Sequence, residues 1–183
     1  MPTLSFLSTL PANTIPLVLL SLAMLTLLYI AVSDARALRI PNAATIFLLG
    51  LGIAYGFATT PLENETTVHA FDWLSHSACG ILLFIICFVL FHYGLLGGGD
   101  TKLIPVVGFW VGFADLLPFL LMMTGVGAVL GIGVAVASAI RTRKLSGKAE
   151  AKTAWRKKAM PYGIAIGVAG IFFMVKMARV LME

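Results

Sequence analysis

Two aspartates, Asp34 and Asp100, are the residues of this chain best placed to do chemistry. Each borders a long apolar stretch, where an ionised side chain is costly and needs a reason to be present. They are far apart in sequence yet able to meet across a helix bundle. Two carboxylates brought together in a poorly solvated site cannot both ionise cheaply, so they share one proton. In such a pair the ionised member can accept a proton and the protonated member can donate one, which is general acid–base chemistry. Residue types alone leave open which aspartate starts ionised. They also leave a plainer alternative for each: Asp100 as a helix N-cap, and Asp34 as a polar residue marking the end of a span.

The neighbours of the two aspartates fall into three patches. Gly97-Gly98-Gly99 precedes Asp100 and allows backbone conformations and close approaches that other residues resist. Pro41-Asn42 opens a helix shortly after Asp34, and Pro161-Tyr162-Gly163 opens the last one, because proline is welcome at a helix start. Lys102, two residues past Asp100, is suited either to ease ionisation of the pair or to hold an acidic group of a substrate, with a snorkelling lysine as the plain alternative. Other chemistry has less support. His69, His76 and His92 fall at different levels and do not form a metal set. Cys79 and Cys87 make neither a CxxC pair nor a disulfide framework. No serine sits beside a cytoplasmic-side histidine in a recognisable nucleophile elbow.

The elements that must position these residues are membrane helices. Hydrophobic residues make up 60% of the chain and charged residues 11%, with mean hydropathy +0.99. Soluble domains carry about a quarter charged residues, so residues 1–183 read as one membrane-embedded domain of all-α class. Six apolar segments are expected near Ile15–Val32, Asn42–Ala58, Trp73–Tyr93, Leu103–Ala114, Leu116–Ile140 and Pro161–Leu181. The first has no Lys or Arg before it and is expected to stay as a helix. With six crossings, one side collects Arg36, Arg39, Lys102 and the eight basic residues of 141–158, and the other only Lys176 and Arg179. That asymmetry places the aspartates at the cytoplasmic face and both chain ends outward. The net charge of +5 therefore reports topology and contact with anionic lipid headgroups, not nucleic acid. The segment 141–158 could equally meet a protein partner, and its residues do not separate the two.

The fourth segment is short. Fourteen residues from Thr101 to Ala114 make about 21 Å of helix against a core of about 30 Å. Either Asp115 is drawn inward or the loop before Asp100 dips into the membrane, and the apolar run Tyr93-Gly94-Leu95-Leu96 favours the dip. Glycine pairs four apart, including Gly108/Gly112, Gly127/Gly131 and Gly163/Gly167, are expected to bring helix backbones together.

Three patches, Asp34-Ala35-Arg36 leading to Ile40-Pro41-Asn42, Gly97-Gly98-Gly99-Asp100-Thr101-Lys102-Leu103 and Pro161-Tyr162-Gly163-Ile164-Ala165-Ile166, together resemble the type IV prepilin peptidases, aspartic proteases of the GxGD type. The chain looks most like their short form associated with Flp, or tight-adherence, pili. The resemblance implies that Asp34 and Asp100 are the catalytic pair. It implies a multi-pass protein of the prokaryotic inner membrane that removes a short basic leader from prepilins at the cytoplasmic face, usually just after a glycine. It further implies a prepilin substrate, contact with pilus assembly machinery and no metal or organic cofactor. Longer relatives also methylate the new N-terminus and carry an extra cytoplasmic segment with paired cysteines. Only a few residues separate Asp34 from the second segment here, so methylation is not expected. A presenilin-like protease would pair GxGD with a Pro-Ala-Leu motif that this chain lacks. A small transporter or channel would carry its ionisable groups nearer mid-span, and a non-catalytic scaffold would leave the three patches as coincidence.

Overall fold

A computed structural model describes residues 13–60, 71–144 and 162–182. Among them are six α-helices: α1 (Thr14–Ala37), α2 (Asn42–Thr59), α3 (Trp73–His92), α4 (Asp100–Val111), α5 (Leu116–Lys144) and α6 (Tyr162–Met182). All but α4 are long and apolar enough to cross a membrane, and the described residues form the six-helix bundle of a multi-pass membrane protein. Pro161, most of the 141–158 basic segment, Glu63, Glu65 and His69 lie outside the described residues.

The helices alternate in direction. At one end, the close of α1 meets the starts of α4 and α6. At the other, Asn13 Nδ2 donates to Leu181 O at 2.6 Å, Trp73 Nε1 to Thr60 Oγ1 at 3.0 Å, and Lys176 Nζ to Asp115 Oδ1 at 2.7 Å. The start of α1 and the close of α6 thus share the end opposite the two aspartates. The centre of the bundle is α4, which packs on α2, α3, α5 and α6 and buries Leu103, Val107 and Trp110. Its polar edges are satisfied: Trp110 Nε1 donates to Leu48 O at 3.1 Å, and His76 Nδ1 lies 2.8 Å from Phe109 O. His76 also stacks on Phe71, which gives it a packing role far from the aspartates.

Two boundaries differ from the apolar pattern. Helix α1 does not end at Val32; it runs through Asp34 to Ala37. Polar residues interrupt the hydrophobic run without interrupting the backbone ladder. The stop comes from Leu38, whose left-handed conformation (φ 52°) turns its N–H onto Asp34 O at 2.9 Å. Pro41 then caps α2 in an extended conformation that suits its fixed φ. Asp34 is therefore held on a helix, not in a loop. Helix α4 likewise starts at Asp100, not Leu103, and ends at Val111, where Gly112 takes a positive φ of 71° beside the His76 ring.

The short α4 is accommodated at both ends. Gly80 faces Pro105 and Phe109, and Gly108 faces Leu83 and Cys79. That antiparallel register puts Asp100 level with Cys87, five residues before α3 ends at His92. The loop 93–99 therefore folds back by about 7.5 Å along α3. Gly94 makes the turn, with φ 71° and the Leu95 N–H bonded to Leu90 O at 2.9 Å in a Schellman-type closure. At the other end, Asp115 pairs with Lys176, five residues short of Leu181. Relative to the neighbouring helices, the loop lies back along α3 and Asp115 lies short of the close of α6. Several of the glycine pairs meet neighbouring helices as their spacing suggests, with Gly167 against Ala31 and Gly127 against the Tyr162 ring.

Candidate active site

Asp34 and Asp100 line one cavity of about 760 Å³ at the end of the bundle where α1 closes and α4 and α6 begin. The two carboxylates are held differently. Asp34 is 5% exposed, and its Oδ2 accepts a 2.7 Å hydrogen bond from the Gly163 N–H. That donor lies in the first turn of α6, where unpaired N–H groups and the helix dipole favour a negative charge. A Cβ at Gly163 would stand 2.8 Å from the same oxygen, so only glycine lets α6 approach this closely.

Asp100 is half-buried at the first position of α4. Gly99 occupies the cap position, and no helix N–H bonds to the Asp100 carboxylate among the described residues. The helix start is instead tied by backbone and hydroxyl: Thr101 Oγ1 donates to Gly97 O at 2.9 Å, and the Leu103 N–H to Gly99 O at 3.1 Å. The capping alternative for Asp100 is therefore not what the fold builds. A Cβ at Gly97 would lie 2.9 Å from Asp100 Oδ2, and one at Gly99 3.0 Å from Ile40. The glycine run gives the carboxylate its clearance and lets the 93–99 loop close on the α1–α2 turn. Asp100 lies outside the five long spans, and burial, followed by the nearby Asp34 charge, pushes its pKa up to about 6.

The remaining predicted residues divide. Asn42, Lys102, Gly98 and Tyr162 line the cavity with the aspartates. Lys102 Nζ bonds Asn42 Oδ1 at 3.2 Å and is in no ion pair with a described carboxylate. Pro41 does not line the cavity. It sets the start of α2, its carbonyl accepting from the Thr45 N–H at 3.2 Å. Arg39, Leu95 and Leu96, marked by sequence only as topology or loop residues, also line the cavity, as does Leu38, which nothing had marked. Their proximity to the two aspartates in sequence was the available signal. Among the described residues, no three His, Cys, Asp or Glu side chains come together. What the site offers is a carboxylate pair, one member bonded to a backbone N–H and the other not.

Comparison with known proteins agrees with that chemistry. The model of the type IV leader peptidase family matches residues 21–132, a stretch that holds both aspartates. The prepilin leader peptidase/N-methyltransferase of Bacillus subtilis (strain 168) is 30% identical over 152 residues, covering 83% of this chain. The chain spans 57% of that relative's length. No solved structure matches it. A family match over more than half of its residues, a long stretch of identity to a leader peptidase and a membrane bundle built around two carboxylates give one conclusion: the chain belongs to the type IV leader peptidase family.

Proposed function

We propose that this protein is an aspartic endopeptidase that removes leader peptides from type IV prepilins, with Asp34 and Asp100 as its catalytic pair. The observation that carries the reading is the shared cavity in which only Asp34 receives a backbone N–H. That hydrogen bond stabilises the charged form of Asp34, while burial beside a charge favours the proton on Asp100. Asp34 then acts as the base that takes a proton from the attacking water. Asp100 donates a hydrogen bond to the scissile carbonyl oxygen, and its proton passes to the amine as the tetrahedral intermediate collapses. Asp34, protonated in the first step, restores the shared proton.

The same reading places the site at the cytoplasmic face of a prokaryotic inner membrane. The excess of Lys and Arg in the connections on the aspartate side supports that orientation. The short connection between α1 and α2, residues 38–41, supports a Flp-type peptidase without a methyltransferase segment. The basic stretch 141–158 would rest on anionic lipid or meet the assembly machinery. The test is co-expression with a candidate Flp-type prepilin. Loss of its leader with the wild-type chain, and retention with Asp34→Asn or Asp100→Asn at equal membrane levels, is the expected result. Cleavage at the wild-type rate by either variant would remove the pair from the chemistry.

A further inference from the structure

A second cavity, a groove of about 670 Å³, adjoins the carboxylate cavity and shares Asn42 and Lys102 with it. Three helices build it, each with positions spaced i, i+3, i+4 and i+7: Asn42 to Leu49 on α2, Ser77 to Phe84 on α3 and Lys102 to Phe109 on α4. Such a spacing is one face of a helix over two turns, about 10.5 Å long. Helix α4 is the floor. Helices α2 and α3 both pack on α4 but scarcely on each other, so they form walls that stand apart. They converge only away from the aspartates, where the Phe57 and Trp73 rings lie 4.9 Å apart and Trp73 bonds Thr60. The groove is thus closed at its far end and open at the carboxylate end.

We propose that this groove is the berth for the apolar helical segment of the substrate that follows the scissile bond, entering past Asn42 and Lys102. The inference rests on the leader-peptidase reading. A chain cut in the carboxylate cavity must leave it on both sides of the cut, and the groove is the apolar exit that begins within that cavity. A polar side of the cut chain would leave toward water, and an apolar side would take the groove. Two features favour a helix over a lipid tail. Ser77 puts a small residue on one wall, which lets a helix backbone come close, and Thr45 on the other is small as well. Lys102 places a cation at the mouth whose bonded partner is the neutral Asn42, leaving it able to receive an acidic side chain of the incoming segment.

The test uses the full chain in membranes with a candidate prepilin. The photo-crosslinker p-benzoylphenylalanine, incorporated in place of the exposed Ile81 in the Asp100→Asn background, is expected to form an adduct with the prepilin's apolar segment. In the otherwise wild-type chain, Ile46→Trp should fill the groove and slow leader cleavage at least about tenfold. Val129→Trp, on the exposed face of α5, should leave cleavage unchanged. Adducts confined to lipid or to a second copy of this chain overturn the proposal, whatever Ile46→Trp does. So does cleavage at the wild-type rate by Ile46→Trp. Either result leaves the peptidase reading standing as long as the wild-type chain removes the leader. A wild-type chain that removes no leader ends both.

Discussion

Helix α4 carries an aspartate at each end, and the two are treated in opposite ways. Asp115, beyond its close, is neutralised by Lys176, with Nζ 2.7 and 2.8 Å from its two carboxylate oxygens. The surrounding outer end is filled by aromatic contacts such as Tyr55 on Trp110 and Phe71 on His76. Asp100, at its start, has no cation bonded to it among the described residues and faces a second carboxylate across an open cavity. One end spends its polar groups on one another. The other holds two acids in one cavity with no ion pair to either among the described residues, an arrangement that costs stability and makes sense where the groups exchange protons with a substrate.

The largest effect expected from this contrast is at the acids themselves. Asp34→Asn and Asp100→Asn should each lower leader cleavage by at least about a thousandfold, because acid and base act as a unit. Asp115→Asn should stay close to wild type in the same assay. If Asp115→Asn is as damaging as Asp100→Asn, the two ends are not functionally distinct.

Next in size is the glycine that lets α6 reach Asp34. In Gly163→Ala the new Cβ would lie 2.8 Å from the carboxylate oxygen and displace it. A shift of that kind costs about a hundredfold in rate. Gly133, with open space around its Cβ position, is the control: Gly133→Ala should cleave normally. Equal rates for the two variants would show that the Asp34–Gly163 contact does not set the geometry of the pair.

A pH profile sharpens the division of labour. In the proposed mechanism Asp100 carries the proton at the start of the cycle, and burial raises its pKa to about 6. Cleavage efficiency, kcat/KM, should therefore fall as pH rises through that value. It should also fall on the acid side, as Asp34 takes up a proton and ceases to be a base. A profile that rises monotonically through neutral pH would reverse the two roles.

The smallest effect belongs to the outer ion pair. Lys176 is 54% exposed and Asp115 30%, so Lys176→Ala should cost about 0–1 kcal/mol, read as a small drop in thermal stability in detergent with cleavage retained.

The sequence by itself determined the class of the protein, the number of helices and the two residues most worth suspecting. Carboxylates are expensive beside apolar spans, so Asp34 and Asp100 stood out against a chain with 11% charged residues. Glycine and proline patches marked where backbones turn or approach, and the run Gly97–Asp100 was legible for that reason. Helix ends were less legible. The apolar pattern stops at Val32, whereas the α1 backbone continues until Leu38 turns left-handed. Only the tertiary structure decided that Gly163 feeds its N–H to Asp34, that Asp100 lies a turn and more below the end of α3, and that α2 and α3 part to leave a groove. Each of these depends on the register between helices distant in sequence. That register is set by how side chains interdigitate across a contact, which no periodicity within a single helix records.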